Sequence, residues 1–417
     1  MVRPFKLIFD EFECLNLMIT RPVMTDPAIK LPVVVWIHGG GNVAGTPYRT
    51  ICDPSDWISQ SIKMAKPVIF VSLQYRVHLF GALPYEGIGN FFLHDQRLGL
   101  QWVHEYIDYF GGDKNRVTLI GQSAGSCCVA AQASAKGAEQ LFKRAALMSG
   151  SISSMPFMTL DQYGAKSKEI AEAAGLETVE ELSNLPWKQL VDAGVKCNFN
   201  VAYAVDDGKF LGYGQLNRAH TLVESIILSD CIEDGYFFTD YFTQGIGDLF
   251  TEIKQIACDE KVSQQLLAAY NIVEDESIIK RIGDLLTDAI FCQGNENMDI
   301  EVRKSGATKV FRQFFDANNP FNPTLGNNHM VEVLYLFNAY NVAAKYQPIT
   351  RDVQSRWINF FYGHDPWSSE CCLRVSDTGV EEISYNQRGQ YRRIKNFDLL
   401  SSLDPKSMHR LTGDGWD

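Results

Sequence analysis

No apolar run in this chain of 417 residues approaches the roughly 20 residues that a helix needs to cross a bilayer, so no membrane span is expected. Basic residues are the minority: 38 Lys and Arg against 50 Asp and Glu leave a net charge of −12, with no basic stripe. Nucleic-acid binding is therefore disfavoured, because phosphate backbones are held by clustered cations. The cysteines form no CxxC pairs and the histidines show no zinc-type spacing, so neither a metal nor another cofactor is called for. Cys127-Cys128 and Cys371-Cys372 are directly adjacent, and reduced thiols are the simpler reading. A usable Asn-x-Ser/Thr site is missing too, since Pro323 blocks the one at Asn322. The first ten residues lack the apolar core and small-residue cleavage site of a signal peptide. Together these absences predict a cytoplasmic protein.

What remains is an ordinary globular composition, 46% apolar and 21% charged. Apolar, β-rich runs recur at Phe12 to Thr20, Pro32 to Ile37, Pro67 to Leu73, Val117 to Ile120, Ala145 to Met148, Ser225 to Leu228 and Lys309 to Phe315. Several are continuous rather than alternating, as central strands covered by helices on both faces must be. The expected class is α/β, with a mostly parallel central sheet. Asp95 to Phe110 has the spacing of an amphipathic helix ended by Gly111 and Gly112. From about 161 to 217, and again from about 240 to 297, the pattern turns helical and polar. No linker-like stretch sets these blocks apart, so a single domain over 1–417 with two helical cap insertions is predicted. The tail after Gly363 is polar and gives little reading.

Chemistry concentrates at three places. Gly121-Gln122-Ser123-Ala124-Gly125 lies between the run Val117 to Ile120 and a helix-compatible run from Ala124 to Ala135. A strand-to-helix turn with glycines two before and two after a serine is what a nucleophile elbow requires, although a pentapeptide alone arises easily by chance. His38-Gly39-Gly40-Gly41 follows the second strand, where backbone N–H groups of Gly40 and Gly41, with Ala124, would form an oxyanion hole. A serine hydroxyl needs a histidine to take its proton and a carboxylate to orient that histidine. In the order serine, acid, histidine, His329 is the best-placed base; His364 reads as a surface turn and His409 lies in the polar tail. For the acid, Asp230, Glu233 and Asp234 compete within one short segment, and residue physics does not separate the last two.

The whole stretch Phe110 to Gly125, FGGDKNRVTLIGQSAG, resembles the serine pattern of the type-B carboxylesterase and cholinesterase family of α/β-hydrolases. Glu13-Cys14-Leu15-Asn16-Leu17, Gln74-Tyr75-Arg76, Asp95-Gln96 to Trp102-Val103 and Met148 to Ser151 are similar to further family motifs. The resemblance implies an α/β-hydrolase fold and hydrolysis of a small-molecule carboxylic ester through an acyl-enzyme. It places the acid just before the glycine of a DEG tripeptide, here Glu233-Asp234-Gly235, which falls on Asp234 with Glu233 as the alternative. It also supports His329, which opens an HxxE stretch ending at Glu332. Three departures matter. Cys14 stands nearly at the start, without the upstream cysteine with which the family usually pairs it. Gln122 replaces the acidic neighbour of the cholinesterase serine, so choline esters are not expected. Asn42 stands where an aromatic usually follows GGG, which predicts a more polar pocket wall. The competing readings are a non-catalytic binding protein of the same fold, and acyl transfer or amide cleavage by the same residues.

Overall fold

The computed structural model describes residues 13–23, 28–154, 157–211, 223–243, 249–254, 256, 259–404, 407 and 411. Among them, nine strands form one sheet: β1 (Leu17–Thr20), β2 (Leu31–Ile37), β3 (Ile69–Leu73), β4 (Gly112–Gln122), β5 (Arg144–Met148), β6 (Ser225–Cys231), β7 (Lys309–Phe315), β8 (Cys371–Ser376) and β9 (Gly379–Ser384). Their spatial order is β1-β3-β2-β4-β5-β6-β7-β8-β9. Every neighbouring pair from β3 to β8 is parallel, while β1 and β9 close the two edges antiparallel.

Strand β2, Leu-Pro-Val-Val-Val-Trp-Ile, shows why the central runs read as continuous. All seven residues are buried. Successive side chains point to opposite faces, so Val33, Val35 and Ile37 enter one apolar cluster with Leu119, Val129, Leu147 and Leu228. Val34 and Trp36 enter the other, with Ile120, Ala146, Ile227, Phe311 and Trp357. Two helical layers, including Phe91–Tyr106 and Ala124–Ser134 on the first face and Gln347–Phe361 on the second, cover these clusters. A sheet buried on both faces is the arrangement that parallel strands require.

Several boundaries differ from the sequence reading. The first strand shortens to Leu17–Thr20, and Phe12 lies outside the described residues. The helix expected over Asp95 to Phe110 begins at Phe91, and its last turn tightens to a 3₁₀ segment, Ile107–Phe110, before Gly111. Strand β6 runs past Leu228 to Cys231, so Asp230 sits inside the sheet, opposite Phe314. The tail after Gly363, of which the sequence gives little reading, supplies β8 and β9. His364 lies in an exposed turn as expected, and His409 is outside the described residues.

The two polar blocks are mainly helical where described, although Val205–Asp206 in the first pairs as a short strand with Met158–Thr159 and 198–211 holds no helix. Leu160–Ala173 and Trp187–Lys196 belong to the first; Leu249–Lys254, Glu260–Ala269, Ile278–Thr287 and the start of Gln293–Ser305 belong to the second. Each block has its own apolar cluster, around Tyr163, Ile170 and Leu190 in one and Leu266, Ile282 and Leu285 in the other. Because the central strands are parallel, the segments leaving β2, β4, β5, β6 and β7 all emerge at one edge, where ligand sites of α/β sheets form.

Candidate active site

Ser123 follows β4 and caps the helix Ala124–Ser134, with φ 57° and ψ −130°. A side chain held there is strained by about 1–3 kcal/mol, and the surroundings enforce it. The Ser123 N–H is tied to the Met148 carbonyl at 2.8 Å. A Cβ on Gly121 would stand 2.4 Å from the Gly125 carbonyl oxygen, and one on Gly125 would stand 2.3 Å from the Ile37 oxygen. The turn therefore closes on itself and on the end of β2 so tightly that only glycine fits on either side.

The His38 to Gly41 loop is pinned through its carbonyls. Gly40 O accepts from Val43 N and Ala44 N at 3.1 and 3.0 Å, and Gly41 O accepts from Ala202 N at 2.8 Å. Among the described residues no acceptor is paired with the N–H of Gly40, Gly41 or Ala124. His38 is buried, stacks on Tyr75 at 4.3 Å and receives the Tyr75 hydroxyl on its carbonyl at 2.6 Å. Burial pushes its imidazole down to about 4, so it is a neutral strut rather than a base. The next residue of that sequence motif, Arg76, clasps Asp95 through two bonds of 2.8 Å. Asn42, expected on the pocket wall, lines a small cavity with Phe92, Leu93, Cys127 and Phe157. Its side chain is buried, donates to Ala202 O at 2.9 Å and accepts from Cys128 Sγ at 3.4 Å.

The three carboxylates that compete in the sequence have separate fates. Asp234 is fully buried; its Oδ1 lies 2.8 Å from His329 Nδ1, and its Oδ2 accepts the Cys231 N–H at 2.8 Å. Glu233 turns away and accepts the backbone N–H of Asn327 at 2.7 Å. Asp230 is locked between Arg312 Nη2 at 2.7 Å and Arg392 Nε at 2.6 Å. Burial alone would raise that carboxyl, but the two guanidinium groups hold it below the usual range. Arg392 also bonds Asp316 at 3.0 Å, and Arg393 bonds Asp288 at 2.8 Å. The polar tail thus braces the strand that delivers Asp234. Removing one partner of such a buried pair typically costs about 3–5 kcal/mol.

His329 presents Nε2 at 3.2 Å from Gln122 Nε2, one residue before the serine. With Nδ1–H donated to Asp234, Nε2 is the acceptor in that contact. Among the described residues no hydrogen bond links Ser123 Oγ to His329, a looseness common before substrate binds. Aromatic rings of Phe291, Phe238 and Phe237 surround the imidazole at 4.9, 5.9 and 6.0 Å. Phe291 sits on a π-helical segment, Asp288–Cys292, joining Ile278–Thr287 to Gln293–Ser305; such bulges often mark functional positions.

Glu332, which the sequence offers only as part of a motif, is buried behind Asp234. It accepts from Ser149 Oγ at 3.1 Å and Cys231 Sγ at 3.0 Å. Burial, and after it the charge of Asp234, pushes its carboxyl up to about 7. The native state therefore favours protonated Glu332. Its contribution to stability is fully present below the ordinary carboxylate range near 4.5 and is lost as pH rises through about 7. Thermal melts from pH 5 to 8 are expected to show a fall in Tm that is shallower in Glu332→Gln. Asp288, raised to about 6 mainly by burial, titrates in both proteins, so parallel curves would refute the assignment to Glu332.

A family model described as "Carboxylesterase family" matches residues 5–396. The chain belongs to the carboxylesterase family. Lipase 3 of Yarrowia lipolytica is 32% identical over 412 residues, covering 97% of this chain and 82% of the relative; Lipase 1 of the same organism is 29% identical over 98% and 83%. A solved PNB esterase superimposes with a TM-score of 0.74 at 21% identity, over 94% of this chain and 87% of that one. The fold is the α/β-hydrolase fold, and by class this member of the carboxylesterase family is a carboxylic ester hydrolase. Other relatives differ in standing. Secreted lipase 1 of Botryotinia fuckeliana is 45% identical over 146 residues, a name at odds with the location expected from sequence. An inactive carboxylesterase-like protein, VdtD of Byssochlamys spectabilis, is 34% identical over 210 residues. Among the described residues of this carboxylesterase-family chain, no helix is long and apolar enough to cross a membrane.

Proposed function

We propose that this protein cleaves small-molecule carboxylic esters through an acyl-enzyme formed on Ser123. Ser123 Oγ attacks the ester carbonyl carbon; His329 Nε2 takes the hydroxyl proton and returns it to the leaving alkoxide. Asp234 holds Nδ1–H and stabilises the imidazolium. The N–H groups of Gly40, Gly41 and Ala124 receive the oxyanion, and water then repeats the sequence to release the acid. The observation that carries this reading is the 2.8 Å contact of Asp234 with His329 at the strand edge where the strained Ser123 stands. The helical segments of 161–217 and 240–297 are read as caps over this edge, within one catalytic domain.

The inactive relative keeps a second reading in play, a binding protein on the same fold. A fluorophosphonate probe distinguishes them. Intact-mass analysis is expected to show one adduct, mapped by peptide sequencing to Ser123; folded protein without adduct would overturn the acyl-enzyme reading.

A further inference from the structure

The catalytic reading assigns Asp234 but leaves Glu233 unused, although its carboxylate makes a short bond to the loop that carries the histidine. That loop leaves β7 at Phe315 and travels through Asn319, Phe321 and Gly326 before His329. Its covalent path does not fix where the imidazole arrives. Position is set instead by bonds across to the acid segment. Glu233 Oε2 accepts Asn327 N–H at 2.7 Å, Ile232 N–H donates to Asn327 Oδ1 at 2.7 Å, and Glu233 and Asn328 form a parallel bridge. Asn327 Nδ2 in turn donates to Ala317 O at 2.6 Å, and Gly326 O accepts Asn319 N–H at 2.8 Å.

Gly326 shows how closely the two segments meet. A Cβ there would lie 2.0 Å from Glu233 Oε2, and its φ is +60°, a conformation that a side chain disfavours. The adjacent carboxylates thus act on one loop at two points. Asp234 holds the imidazole, and Glu233 holds the backbone two residues before it.

We propose that Glu233 is a positioning residue, stapling the histidine loop to the acid segment so that His329 meets Asp234; this rests on the acyl-enzyme reading for its effect on turnover. The side-chain length matters. An aspartate at 233 keeps the charge but stops one methylene short of Asn327 N, whereas a glutamine keeps an acceptor oxygen at full reach.

The test compares Glu233→Gln, Glu233→Asp, Glu233→Ala and Gly326→Ala with the wild-type full chain on a p-nitrophenyl ester. Glu233→Asp, Glu233→Ala and Gly326→Ala are expected to lose about 10² in kcat, as misplacement of a catalytic group by about an ångström does, with little change in KM. Glu233→Gln is expected to stay within about threefold, because the acceptor is retained. In parallel, proton NMR should show the far-downfield resonance of the Asp234–His329 bond in wild type and Glu233→Gln, and its broadening or loss in the other three. Wild-type kcat in Glu233→Ala, or equal losses in Glu233→Gln and Glu233→Ala, would overturn the staple. If Glu233→Ala does not fold, Glu233→Asp and Gly326→Ala carry the same comparison. Absence of ester turnover in wild type would count against the acyl-enzyme reading alone, since the NMR comparison still tests the staple.

Discussion

Alanine in place of Ser123 is expected to lower kcat/KM for a p-nitrophenyl ester by about 10⁴ or more, with Tm essentially unchanged. Serine and alanine both carry a Cβ, so both bear the strain of φ 57° equally, and the Ser123 N–H keeps its bond to Met148 O. What disappears is the nucleophile. The N–H groups of Gly40, Gly41 and Ala124 remain, so a residual rate above the uncatalysed reaction is expected from the oxyanion site. Glycine at 123 provides the internal control: it adopts a positive φ without penalty and should raise Tm while remaining equally inactive. Unchanged turnover in Ser123→Ala would remove Ser123 from the mechanism.

The second large effect is expected from Asp234→Asn, and the geometry dictates its sign. One oxygen of Asp234 accepts the Cys231 N–H, a donor with a fixed position; the other faces His329 Nδ1. An asparagine must give its single oxygen to Cys231, which leaves its NH₂ group pointing at the imidazole. Nδ1 then becomes an acceptor, and the proton moves to Nε2, so the ring cannot take the serine's proton. A loss of about 10⁴ in kcat is expected, with little change in KM. Activity should recover partly at high pH, where hydroxide supplies the base that the ring no longer provides. A loss no larger than that of Glu233→Gln would assign the acid elsewhere.

The central strands were legible because burial on both faces leaves continuous β-branched and aromatic runs, as in Val33 to Ile37. The elbow and the Gly39 to Gly41 loop were legible because close backbone approach admits only glycine. Strand β9, Gly-Val-Glu-Glu-Ile-Ser, was not: it lies on an edge, so its burial is too shallow to leave a pattern. Asp230 stood among the competing carboxylates for another reason. Aspartate is unfavourable in a strand, and the arginines that make it tolerable lie 82 and 162 residues away. Glu233 and Asp234 were inseparable by residue type, since the distinction is one of direction: one side chain meets His329 and the other crosses to Asn327.

The arginine brace has a consequence for the order in which this chain is made. A ribosome delivers Ser123, Asp234 and His329 well before Arg392, so the nascent polypeptide carries every reacting group while Asp230 still lacks one of its two counter-charges. The strand that leads to Asp234 reaches its final electrostatic balance only when the last edge of the sheet has emerged. Maturation of the site is thus timed by a residue that never meets substrate.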